Sequence, residues 1–89
     1  MKILNKKYVV TVHEPIQNHR LDIDLKTKLI RIIARELGIP AVYVNIDINN
    51  EQATLTKISI SSVDLEEVNE YTDILARMDI QKELQNEQK

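Results

Sequence analysis

Residues 25–40 read LKTKLIRIIARELGIP, and their spacing sets the layout of the whole chain. At about 100° per residue, Leu25, Leu29, Ile30, Ile32, Ile33 and Leu37 share one broad apolar arc, while Thr27, Lys28, Arg31 and Arg35 gather opposite. This is the pattern of an amphipathic helix that turns one face to a core, with Leu29, Ile32 and Ile33 at its centre. Gly38 can adopt the left-handed conformation that closes a last turn, and Pro40 biases Ile39 away from helix. The helix is therefore expected to stop at Leu37 or Gly38.

Upstream, Tyr8 to His13 (YVVTVH) is β-branched and bounded by Lys6-Lys7 and Glu14-Pro15, so it reads as a strand. Tyr8, Val10 and Val12 share one face, and the apolar Val9 on the other predicts cover on both sides. Residues 15–20 read as a loop. Between that loop and the helix, Leu21, Ile23 and Leu25 alternate with Asp22 and Asp24. Residues 20–24 are thus either a short extra strand or the cap of the helix, and a capping Asp22 or Asp24 is the preferred reading.

Downstream, Val42, Val44, Ile46 and Ile48 alternate with polar neighbours, which predicts a strand with one core face and one wet face. Asn49-Asn50 tolerates positive φ and turns the chain into a second strand from about Ala53 to Ile60. Ala53 and Leu55 lie on one phase of that strand and Ile58 and Ile60 on the other. Either a bulge sits near Thr56-Lys57 or the hairpin loop is long. The longer loop is preferred, with Ile58 and Ile60 facing the core across from Val44 and Val42. A second helix opens with Asp64 and Glu67 in capping-box positions and Val63 and Val68 as a staple. Val68, Tyr71, Leu75 and Met78 form its core stripe, whereas Ala76, Ile80 and Leu84 lie on another face. The helix either breaks near Asp79 or runs on with two apolar stripes.

The expected fold is an α+β two-layer sandwich of order β-α-β-β-α. A right-handed crossover through the central helix makes the first two strands parallel, and the hairpin partner can insert between them. This topology resembles a ferredoxin-like fold lacking its last strand. Residues 1–78 are expected to form one compact domain, with 79–89 as a helical extension or frayed tail.

Composition narrows the function. A chain of 89 residues with 43% apolar residues forms a single domain, but it has no Phe, no Trp and three Tyr, so rings for base stacking or an aromatic cage are scarce. The absence of cysteine excludes disulfides, thiolate metal sites and cysteine nucleophiles. The single glycine, Gly38, is taken by the helix end, which leaves none for a phosphate loop. His13, Glu14 and His19 straddle a proline loop at spacings unlike a helical zinc motif, and no metal or cofactor is expected. Ser59, Ser61 and Ser62 have no adjacent activating base in the sequence. No apolar run approaches the roughly 18 residues of a membrane span, and the N-terminus leads into a strand pattern rather than a signal peptide, so a cytoplasmic protein is expected.

Charge is divided along the chain: residues 1–40 hold eight basic against four acidic side chains, and residues 41–89 hold four against ten. Lys28, Arg31 and Arg35, spaced i, i+3, i+7, form a basic stripe that suits phosphates or an acidic partner; its plainer reading is a solvated helix face. The acidic residues Glu66, Glu67, Glu70 and Asp73 are candidate counter-charges for it. These features point to a small non-enzymatic protein that binds a macromolecule as an interaction, adaptor or inhibitor module. Self-association as a homodimer is expected, through the open edge of the first strand and through Ala76, Ile80 and Leu84. The alternative is a nucleic-acid-binding protein using the basic stripe.

Overall fold

The computed structural model describes residues 7–17, 19–61 and 65–87, with side chains omitted at 65–68 and 87. Its elements are β1 (Tyr8–Pro15), α1 (Ile23–Leu37), β2 (Val44–Asn49), β3 (Thr54–Ile60), α2 (Leu65–Arg77) and α3 (Ile80–Glu87), with one 3-10 turn at Ala41–Tyr43. The fold is α+β, with three antiparallel strands in the order β1-β3-β2. β1 and β2 run the same way, and β3 sits between them.

Helix α1 forms as its spacing predicts. The Asp22 carboxylate caps it by accepting from the Leu25 N–H at 3.0 Å, so residues 20–24 are a cap and not a strand. At the other end Gly38 takes φ 69°, and the N–H groups of Gly38 and Ile39 bond to Arg35 O and Ala34 O. That pair of bonds is a Schellman closure, which satisfies carbonyls the helix would leave open. Leu25, Leu29, Ile32, Ile33, Ala34 and Leu37 are buried, and Leu29, Ile32 and Ile33 have no exposed surface.

The core lies between α1, α2, α3 and one face of the sheet, where Val44, Ile46, Leu55, Ile58 and Ile60 are buried. Four details depart from the sequence reading. Val42 is 82% exposed in the 3-10 turn, because Pro40 directs the chain into a Tyr43 N–H to Pro40 O bond before the strand begins. Ile60 accordingly faces Val44, and Ile58 faces Ile46. The phase slip in β3 is a bulge: Asp47 pairs with Lys57 and Ile48 with Leu55, leaving Thr56 without a counterpart on β2. A bulge is less costly here than a slipped register because it lets Leu55, Ile58 and Ile60 all reach the core. The positive φ of the hairpin falls on Ala53 (φ 50°), while the Asn49 side chain accepts from the N–H groups of Glu51 and Gln52.

β1 is covered on one face only. Val9 is 46% exposed, in contrast to the two-sided cover its apolar side chain predicts. Beyond Pro15, Ile16 joins the core and its N–H donates to Ala53 O at 2.8 Å. The C-terminal region breaks at Met78-Asp79, where Asp79 caps α3 by accepting from the Lys82 N–H at 3.1 Å. Ile80 (3% exposed) and Leu84 (0%) belong to the same core as α1, so residues 79–87 are part of the domain and not an extension of a 1–78 unit. The capping box and staple proposed at residues 63–68 fall outside the described side chains.

Candidate interaction surface

The two stripes singled out in the sequence have different fates. Ala76 is exposed, but Ile80 and Leu84 pack inside their own domain, so they are not a surface for a second copy. The break at Met78-Asp79 is the physical reason: it reorients the chain so that the second apolar stripe folds back beneath α1 and β1. Of the basic stripe, Arg31 is exposed and Lys28 half-buried. Arg35 lies 3.8 Å from the Glu83 carboxylate, which ties it to α3, while the expected counter-charges Glu66 and Glu67 lie outside the described side chains. The pair is largely solvated, so it orients more than it stabilises.

Among the described residues the histidines and serines that could carry chemistry do not converge. His13 is exposed on β1, and His19 Nδ1 lies 2.7 Å from Gln17 O. Among the described residues no group of three or more His, Asp and Glu is placed to hold a metal ion. Ser61 Oγ donates to Tyr43 O at 3.3 Å. Ser62 lies outside the described residues. An open groove of about 470 Å³ runs between the start of α1 and β2, lined by Leu21, Ile23, Lys26 and Ile48 among others, but its Asp22 is committed to the helix cap. No helix among the described residues is long and apolar enough to cross a membrane.

What does stand out is the contrast between the two sheet edges. In an antiparallel strand the N–H and C=O of alternate residues point to opposite sides. Ser61 N–H donates to Tyr43 O at 2.9 Å, so Ser61 and, by alternation, Ser59 and Lys57 bond toward β2. The outward groups of β2 are then those of Val44, Ile46 and Ile48. The first two of these donors are occupied within the chain: Val44 N–H bonds to Ala41 O, and Ile46 N–H to the side-chain oxygen of Asn45 at 2.9 Å. The β2 edge is blunted over Val44 to Ile46.

On the other side, Ile60 and Ile58 bond toward Tyr8 and Val10, which leaves Val9 and Thr11 with their N–H and C=O directed outward from β1. Among the described residues nothing bonds to these groups. The end of β1 is closed differently, since Gln17 N–H donates to Gln81 Oε1 at 3.0 Å and Gln81 Nε2 donates to Gln17 O at 3.1 Å. The Tyr8 and Thr72 hydroxyls are hydrogen-bonded to one another, which ties the start of β1 to α2. The open segment is thus Val9 to Thr11, held at both ends by helices. Sequence reading identified β1 as an edge strand candidate but missed Asn45 and Gln81, whose signals are only an amide at an exposed strand position and one on a helix.

No protein family matches the chain, and comparison with curated proteins and with solved structures gives no significant match.

Proposed function

We propose that this protein is a non-enzymatic cytoplasmic interaction module that receives an extended segment of a macromolecular partner along the free edge of β1. One observation carries the reading: the outward N–H groups of Val44 and Ile46 are bonded within the chain, whereas those of Val9 and Thr11 have no partner among the described residues. An added strand supplies main-chain hydrogen bonds at such an edge, and alternate side chains supply selectivity. The strand order β1-β3-β2 supports a finer reading of the fold as a ferredoxin-like plan without its last strand. In that plan the absent strand lies beside β1, so the partner's segment takes its place.

A competing reading uses Arg31 and Lys28, which remain on the outward side of α1, as phosphate contacts. The test separates the two. Tagged wild type and Thr11→Pro are purified with and without nuclease, and co-eluting proteins are identified by mass spectrometry. The outward Thr11 N–H is lost in this variant without removing a ladder bond to β3. A protein partner that survives nuclease and disappears with Thr11→Pro is the expected result. Recovery that requires intact nucleic acid and falls when Lys28 and Arg31 are neutralised would overturn the reading, as would a partner indifferent to Thr11→Pro.

A further inference from the structure

We infer that the segment received by β1 is β1 of a second copy, paired antiparallel about a two-fold axis at Val10; this rests on the strand-addition reading above and names its partner. The outward residues Val9 and Thr11 are two apart, so an axis through the intervening Val10 sets Val9 opposite the partner's Thr11 and Thr11 opposite the partner's Val9. Each then gives its N–H and receives one in return, and the two sheets become one continuous sheet of six strands with the helices on a common face.

The inner face says why a second β1 fits there. Tyr8, Val10 and Val12 point toward the core layer but remain half-buried, whereas their counterparts Val44, Ile46, Ile58 and Ile60 are buried. With the axis at Val10, that residue meets the partner's Val10, and Tyr8 meets the partner's Val12, so every inner pair is apolar. Centring the axis on Thr11 instead would set Tyr8 against the partner's Glu14, which places a carboxylate in that row. Two further facts bound the pairing. β1 loses its regular register with β3 after Thr11, and Pro15 offers no N–H. The paired segment is therefore short, and its interface is smaller than the roughly 1,600 Å² of a standard complex. A reversible dimer that dissociates in the micromolar range or above follows.

Sedimentation equilibrium of the full chain from micromolar to millimolar concentration should show a shift from one to two chain masses, and amide exchange at Val9 and Thr11 should slow over the same range. Because the axis removes the Thr11 bond twice, Thr11→Pro should weaken the dimer by roughly 30-fold, with circular dichroism unchanged. Val10→Lys and Val10→Glu provide the second arm, since the axis places each new charge against itself. Each variant alone should be monomeric, and an equimolar mixture should form a mixed dimer. A wild-type monomer at millimolar concentration overturns the second copy as occupant; if nuclease-resistant capture of another protein is then still lost with Thr11→Pro, strand addition itself stands. A dimer that survives Thr11→Pro, or Val10 variants that fail to rescue one another while retaining native circular dichroism, overturns the β1 interface.

Discussion

At the β2 edge Val44 and Ile46 are 6% and 1% exposed, and the outward donors of both are bonded in-chain; at the β1 edge Tyr8, Val10 and Val12 are half-buried and the donors of Val9 and Thr11 meet no described residue. The difference follows from what lies above each strand. α1 runs for 15 residues and buries six side chains, whereas α3 runs for eight and contributes Ile80 and Leu84 to the core. An eight-residue helix spans only part of β1, whose start is tied to α2 through Tyr8 and Thr72, and Tyr8, Val10 and Val12 stay half-buried. On the β2 side cover and edge protection succeed together, because the same loop that follows α1 supplies the Ala41 carbonyl. An edge is closed by specific polar groups as well as by charge, and Lys7 beside β1 is only partial protection.

The contrast breaks most readily in the core. Ile33→Ala should cost roughly 2–5 kcal/mol, enough to unfold much of a domain this small, while Val10→Ala on the poorly covered side should cost less than half as much in the monomer. Denaturant titration of both variants checks this, and equal losses would mean the two sides are equally packed. Next in size, Asp22→Ala should remove about 1 kcal/mol by opening the first turn of α1, and Asp79→Ala should act similarly but with fraying confined to α3, seen as faster amide exchange there. A smaller change sharpens the edge argument directly. Asn45→Ala frees the outward Ile46 N–H to water at a cost of about 0.5 kcal/mol, and the β2 edge should then begin to associate, read as larger species in sedimentation. Unchanged sedimentation would show that α1 and the 3-10 turn, rather than Asn45, protect that edge. Smallest of all, Glu83→Gln should shift the melting temperature barely outside error, because its pairing with Arg35 is screened by solvent.

Local signals in the chain were enough for α1 and both of its ends, since the apolar arc, Asp22, Gly38 and Pro40 each act within one turn of themselves. They were enough too for the strand order, because a right-handed crossover followed by a hairpin leaves few arrangements. They were insufficient for the bulge at Thr56, where two registers of similar local quality were separated only by which let Leu55, Ile58 and Ile60 share a core. The same holds for Ile80 and Leu84. An exposed stripe and a buried one have the same spacing, and only the turn at Met78-Asp79 determines which surface they meet.

The candidate surface divides along the same line. That β1 is a β-branched strand was legible in Tyr8 to His13, and so was an edge position for it. Which of its backbone groups face outward was not, because that depends on the hydrogen-bond phase of β3, a strand more than 40 residues away in the chain. Side-chain periodicity is carried by each strand alone, whereas the phase and satisfaction of its backbone groups belong to the pair. The sequence by itself therefore determined most elements and the apolar face of α1, and the tertiary structure alone decided that Ala41 and Asn45 occupy the donors of Val44 and Ile46 while those of Val9 and Thr11 meet no described residue, because backbone phase belongs to a strand pair and not to one strand.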